Sequence, residues 1–202
     1  MEVQALAAAG DWEAALFRAL NLAGSNLLLD AIMFFFTTIA LPYVLAFVSV
    51  EIWRRGRHGL AFDFLVLLLV AVLVTEAIKF ATGRPRPCSV LADVHAFGSY
   101  TCAAETDPAF PSGHASRAFA GAALLWLGMS RRAGLTMTAV AVLAGVSRIW
   151  LGVHWPTDVL AGALLGVGLA LLVREGTRRS PAYARSRGRV VAFFERAVRR
   201  AG

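Results

Sequence analysis

The sequence predicts an all-α fold, a polytopic bundle of about five to six transmembrane helices preceded by an interfacial helix. Three observations carry this. Of 202 residues, 58% are hydrophobic and 16% charged, with a mean hydropathy of +0.64, which is more apolar surface than one soluble core of this length hides. Several apolar runs approach or exceed the roughly 20 residues needed to cross a hydrocarbon layer. Those runs are too long and too uniform for barrel strands, so their backbone polar groups must be satisfied within helices.

Taken in order, Met1 to Asn21 carries Glu2, Asp11 and Glu13 where a cleavable signal peptide would be basic, so no such peptide is expected. The segment reads as an amphipathic helix with Trp12, Leu16, Phe17 and Leu20 toward lipid, or as a helix packed on the bundle. Spans are expected at Leu27 to Trp53, Leu60 to Phe80, Ser112 to Met129, Leu135 to Leu151, and Thr157 to Val173. Residues 1–175 then form the membrane domain, and residues 176–202 a basic tail. Val190, Val191, Phe193, Phe194, Ala197 and Val198 interrupt the tail's arginines at spacings that suit an amphipathic surface helix; a solvated tail is the plainer alternative.

The net charge is +7. Arg54, Arg55 and Arg57 follow the first expected span, Arg131 and Arg132 separate the third from the fourth, and the arginine tail follows the fifth. Five crossings place all three groups on one side, which the positive-inside rule makes cytoplasmic. The N-terminus and the loop from Thr82 to Pro111 then lie outside a cytoplasmic (inner) membrane. The tail is expected to meet anionic lipid rather than nucleic acid. Cys88 and Cys102 both fall in the outer loop, as free thiols or as a disulfide worth roughly 3 kcal/mol. Paired zinc-ligand spacings are absent.

Three clusters carry chemistry. Lys79 ends an apolar run and is followed by Arg86-Pro87; Pro111-Ser112-Gly113-His114 opens another; Ser147-Arg148 precedes His154 and Asp158. Charge at the edge of a membrane segment is expensive and marks function by default. His154 and Asp158, four residues apart near Pro156, share a helix face, so the carboxylate can accept one ring proton and leave the other nitrogen nucleophilic. A helix starting at Ser112 aims N–H groups at an anion, and Gly113 permits close approach; a simple N-capping serine is the competing reading. Lys79, Arg86 and Arg148 are cations suited to a transferring phosphoryl group.

The combined pattern Lys79-x6-Arg86-Pro87, Pro111-Ser112-Gly113-His114 and Ser147-Arg148-x5-His154-x3-Asp158 resembles the signature of the type 2 phosphatidic acid phosphatase (PAP2) superfamily at every fixed position. The resemblance implies a membrane lipid phosphatase. His154 would form a phosphohistidine, Asp158 would orient it, and His114 would protonate the leaving oxygen and then activate water. Lys79, Arg86, Ser112, Gly113 and Arg148 would bind phosphate, and no metal or other cofactor is implied. The compact layout is similar to prokaryotic members acting on polyprenyl (undecaprenyl) pyrophosphate. Phosphatidylglycerol-phosphate or phosphatidic acid phosphatase, and lipid phosphotransferase, are the alternatives.

Secondary expectations concern other polar residues. Arg84 reads as a snorkelling interfacial cation, and Glu76 as a structural partner of Lys79 or Arg148. Arg117 faces either the site or the headgroups, and Asp30 anchors a hydrogen bond within the bundle. Trp12, Trp53, Trp150 and Trp155 suit an aromatic belt.

Overall fold

The computed structural model describes residues 2–23, 26–99 and 102–201. Among these the chain forms nine helices: α1 (Glu2–Asn21), α2 (Leu27–Ile39), α3 (Pro42–Arg54), α4 (His58–Thr82), α5 (Pro87–Val90), α6 (Gly113–Gly128), α7 (Arg131–Trp150), α8 (Pro156–Arg179) and α9 (Pro181–Ala201). Local chemistry sets their ends. The side chains of Asn26 and Ser130 accept from Leu29 N and Ala133 N to cap α2 and α7. Pro42 and Pro156 begin α3 and α8, where a missing N–H costs nothing. Gly83 closes α4 at φ 61°, its N–H donating to the Lys79 carbonyl.

Two expected spans are redrawn. The run from Leu27 to Trp53 is two helices bent by 65°. Pro42 cannot donate to the preceding turn and pushes Leu41 to an extended conformation, φ −66° and ψ 141°. Apolar content alone concealed that break. The segment from Ser112 to Met129 yields α6, whose 16 residues extend about 24 Å, short of a hydrocarbon core. Among the described residues three helices are long and apolar enough to cross a membrane, beginning at His58, Arg131 and Pro156; the α2–α3 pair passes the same test only as a unit, either one broken span or a re-entrant loop.

Short as it is, α6 is the centre of the bundle, packed on α4, α7 and α8. Ala115, Ala118 and Ala120 on it are wholly buried. Gly162 and Gly166 of α8 lie against its backbone so closely that a Cβ at either would clash with the Ser112 or Ser116 carbonyl. Small residues let two helix backbones approach this nearly. Phe64, Leu67 and Ala71 of α4, with Ala141 and Ala144 of α7, complete the apolar core.

The first helix is tied inward. Phe17, fully buried, packs on Trp155 at 5.5 Å between ring centroids, so it does not face lipid, whereas Trp12 and Leu16 are exposed. Asn21 is also fully buried; its amide donates to the carbonyls of His95, Ile149 and Trp150 and accepts from His95 N. Asp30 accepts from Trp150 Nε1 at 2.8 Å and sits 2.7 Å from His95 Nε2. Trp150 and Trp155 are therefore buried hydrogen-bond donors and no part of an aromatic belt.

The two ends of the bundle differ chemically. At one end, Arg57 and Arg174 donate to the carbonyls of Gly128 and Leu127. There α9 docks along α4: Tyr183 and Arg187 bind the two oxygens of buried Asp63 at 2.7 Å each, and His58 meets Glu195 at 2.5 Å. At the other end lie the C-termini of α4 and α7, the N-termini of α6 and α8, and the loop before α6.

Candidate active site

All eight expected site residues converge at that second end. Lys79 sits one turn before the Gly83 cap and Arg148 in the last turn of α7, both almost completely buried. Arg86 follows the Gly83 turn in an extended conformation, φ −77° and ψ 153°, which sends its guanidinium back beneath the bundle end. Its Nη1 donates to the Val153 carbonyl at 2.8 Å and lies 3.4 Å from His154 Nε2. Arg148 Nη1 donates to Thr37 Oγ1 at 2.8 Å, one turn before the α2–α3 break.

His154, 1% exposed, occupies the link between α7 and α8. His154 precedes α8, so it does not share a helix face with Asp158 as expected; the link folds back on the first turn instead, leaving Nδ1 3.5 Å from Asp158 Oδ2, without a hydrogen bond between them. That carboxylate is held firmly. Oδ2 accepts from the Trp155 N–H at 2.8 Å, closing the start of α8, and Oδ1 accepts from Arg84 Nη1 at 2.6 Å. Burial first, then the positive fields of Arg148, Arg86, Lys79 and His114, hold the His154 imidazole well below its ordinary pKa. It is therefore neutral at neutral pH, as a nitrogen nucleophile must be.

Ser112 precedes α6 in an extended conformation but makes no capping bond with its hydroxyl, so the N-cap reading fails. Its Oγ is buried and has no hydrogen-bond partner among protein atoms, and neither does Arg117 Nε. Buried polar atoms left so are costly and ask for a ligand. The Ser112 main-chain N–H donates to the Asp158 carbonyl at 2.9 Å, which fixes His114 on α6 relative to His154 and Asp158 across the α6–α8 seam. Arg117 is buried, its Nη1 beside Gly113; of its two expected positions it takes the inward one.

Neutral nitrogen, supported carboxylate, three clustered cations and a helix start are the parts of a phosphoryl-transfer site. The sequence from residue 60 to residue 180, more than half the chain, matches the family model of the PAP2 superfamily. The chain belongs to the PAP2 superfamily. It is 32% identical over 160 residues to the bacitracin transport permease protein BcrC of Bacillus licheniformis, covering 78% of this chain and 76% of that one. It is 30% identical over 146 residues to an undecaprenyl-diphosphatase of Sulfolobus acidocaldarius, covering 71% and 68%. Among solved structures, LpxE of Aquifex aeolicus superposes with a TM-score of 0.65 at 26% identity, over 80% of this chain and 93% of that one. A transmembrane PAP2-type phosphatidylglycerolphosphate phosphatase from Bacillus subtilis shares the fold, with a TM-score of 0.68 over 87% and 89% of the two chains. This PAP2 protein is a multi-pass membrane phosphatase.

Several residues at the PAP2 site were not among those singled out for it. Arg84 is no snorkelling cation: besides Asp158 it donates to Thr157 Oγ1 at 2.7 Å and to Glu13 Oε2 at 2.5 Å. Glu13 in turn accepts from the Thr157 N–H at 3.1 Å and from its hydroxyl, linking α1 to the start of α8. Lys79 and Arg148 form ion pairs with the loop before α6, with Asp107 and Glu105 respectively; the expectation for either was Glu76. Cys88 and Cys102 form a disulfide with Cα atoms 5.7 Å apart, fastening that loop to α5. The proximity of Arg84 to Arg86 in sequence was the one available hint; the carboxylates had none.

Proposed function

We propose that this PAP2 phosphatase hydrolyses polyprenyl diphosphate at the extracytoplasmic face of a cytoplasmic membrane, through a phosphohistidine on His154. The observation that carries the mechanism is the neutral His154 ring set between Asp158 Oδ2 at 3.5 Å and Arg86 at 3.4 Å. The terminal phosphate would rest on Lys79, Arg86, Arg148, the Ser112 hydroxyl and the Gly113 amide. His154 Nε2 attacks phosphorus while Asp158 steadies the proton on Nδ1, and the bond to the bridging oxygen breaks as His114, protonated once the bound phosphate's negative charge offsets the cations around it, delivers that proton to the oxygen. His114 then takes a proton from water, which attacks the phosphohistidine and frees inorganic phosphate and His154. Preplaced cations stabilise the charge that spreads over the transferring oxygens.

Support for the diphosphate comes from the names of two relatives, the undecaprenyl-diphosphatases of Sulfolobus acidocaldarius and Bacillus subtilis. Arginine placement supports the side of the membrane: the arginine-bearing ends of α3 and α8 lie opposite the site. Residues 176–202, with Phe193, Phe194 and Val198 exposed beside a row of arginines, suit an anionic leaflet.

The test is phosphate release by wild type and His154→Ala in detergent, with EDTA present, on polyprenyl diphosphate, phosphatidylglycerol phosphate and phosphatidic acid. Activity highest on the diphosphate, absent in the variant, and accompanied by an acid-labile, base-stable phosphoenzyme in wild type only, is the expected result. A different ranking reassigns the substrate. Release by folded His154→Ala equal to wild type removes the mechanism, and release by neither protein favours the transport named for the Bacillus licheniformis relative. After reduction, labelling of Cys88 by an impermeant maleimide from the cytoplasmic side alone would reverse the orientation.

A further inference from the structure

The phosphate cradle already holds an anion made by the chain itself. Asp107 pairs with Lys79 and, at 2.7 Å, with Arg86 Nη2; Glu105 pairs with Arg148 and, at 3.0 Å, with the same Nη2. Arg86 Nε also takes the Asp107 main-chain carbonyl at 2.9 Å. Burial pushes the Asp107 carboxyl up, but Lys79 and Arg86 outweigh this and hold it below its ordinary value, so it is ionised at neutral pH. Lys79, Arg86 and Arg148 are thus matched against two carboxylates, one positive charge in excess among these five groups, and inward-facing Arg117 adds another.

A terminal phosphate carries about −1.5 to −2 and can replace both carboxylates with almost no change in that balance. A phosphodiester headgroup carries a single negative charge. If it displaced the pair, the buried excess of positive charge would grow by one, which is expensive where water is scarce. A membrane surface offers phosphodiesters in large excess over terminal phosphates, so a bare cradle of three cations would be occupied by the wrong lipid. The geometry points to Glu105 and Asp107 as specificity-determining residues, an internal dianion that a terminal phosphate displaces and a phosphodiester does not. This rests on the phosphatase reading of the same site.

The arrangement allows the exchange. Side-chain exposure is 17% for Glu105 and 31% for Asp107, against 0–5% for Arg148, Arg86 and Lys79, so the carboxylates sit at the mouth and the cations behind them. The segment is fixed on both sides, at Cys102 by the disulfide and at Ala109, whose N–H donates to the Arg84 carbonyl at 2.8 Å. Between those anchors the carboxylates can turn into water while the cradle stays in place.

The test uses p-nitrophenyl phosphate as a soluble substrate in detergent at about pH 8, above the second phosphate pKa. Inhibition constants are measured for methyl phosphate, a dianion, and dimethyl phosphate, a monoanion, on wild type, E105Q, D107N and the double variant. Wild type should strongly prefer methyl phosphate. In the double variant both anions should bind more tightly and dimethyl phosphate should gain more, so that the preference shrinks by about tenfold, one step of 1.4 kcal/mol. An unchanged preference, or weaker methyl phosphate binding, would mean that the carboxylates only brace the cations, and the inference fails. A second measurement needs no substitution: saturating methyl phosphate should speed hydrogen exchange across residues 103–108 of wild type, and protection there would overturn displacement. The lipid preferred by wild type bears on the proposed substrate and leaves this ratio untouched. If wild type does not hydrolyse even the soluble ester, the phosphatase reading fails by itself, and the ratio is read from thermal stabilisation by the two anions.

Discussion

Replacing Gly162 by alanine isolates the seam that brings the proposed catalytic groups together. A Cβ at residue 162 would stand 2.5 Å from the Ser112 carbonyl oxygen and 3.1 Å from Ala115 Cβ. Neither neighbour can yield cheaply. The Ser112 carbonyl accepts the Ser116 N–H at 2.9 Å in the first turn of α6, and the Ser112 N–H is committed to Asp158 at 2.9 Å. Relief to ordinary contact requires α6 and α8 to part by about 1 Å, a displacement that can cost on the order of 100-fold in rate, with overpacking costing about 1–3 kcal/mol of stability. Gly168, on the same helix with nothing within 4 Å of its added Cβ, is the control; alanine there should be neutral or stabilise by up to about 1 kcal/mol. Phosphate-release kinetics and the thermal midpoint of both variants decide the matter. Wild-type kcat and midpoint for Gly162→Ala would refute the claim that close backbone contact sets the geometry of His114 against His154 and Asp158.

Arg84→Ala should lower kcat about tenfold or more, because losing one partner of a largely buried pair leaves Asp158 and Glu13 uncompensated; Arg84→Lys, whose single ammonium nitrogen cannot occupy the two positions from which Nη1 and Nη2 reach Asp158 and Glu13, should recover little, and full activity in either would return Arg84 to the periphery. The acid limb of the kcat/KM profile should lie below the ordinary imidazole range: with His154 held below about 6.5, the proposed nucleophile stays neutral as acid is added through that value, and loss sets in only as its own lowered pKa is approached. The substrate's ionisation near about 6 is subtracted using a series of leaving groups. An acid limb at the ordinary histidine value, unmoved across that series, would contradict the electrostatics described for this ring.

Much of the site could be read from the chain because its parts are short-range. The short separation of His154 and Asp158 keeps the two within reach of each other across the start of α8, although His154 precedes the helix and shares no face with Asp158, and Ser112-Gly113-His114 must open a helix if an apolar run follows. What stayed hidden depends on contacts distant in sequence. Glu13 meets Thr157 across 144 positions and Arg84 meets Asp158 across 74, and no local pattern marks such pairings. Glu105 and Asp107 lie in a loop without periodicity, where acidic residues ordinarily face water. The α2–α3 break had its cause in plain view at Pro42, but hydrophobic content outweighed backbone chemistry in drawing the span. Phe17, Trp150 and Trp155 show the same bias: an apolar ring near a membrane boundary suits lipid and protein equally until its neighbours are known.

The way α1 is fastened determines where this chain tolerates shortening. Its Glu13 fills two bonding sites on Thr157 and one on Arg84, and its Asn21 serves three carbonyls and one amide from elsewhere in the chain. A fragment begun after residue 21 would therefore strip a counter-charge from the guanidinium that steadies Asp158 and open a hole beside Trp155, although every signature residue would remain. Fusion partners and trimmed expression variants belong at the α9 end, whose bonds to Asp63 and His58 lie at the far side of the bundle from the chemistry.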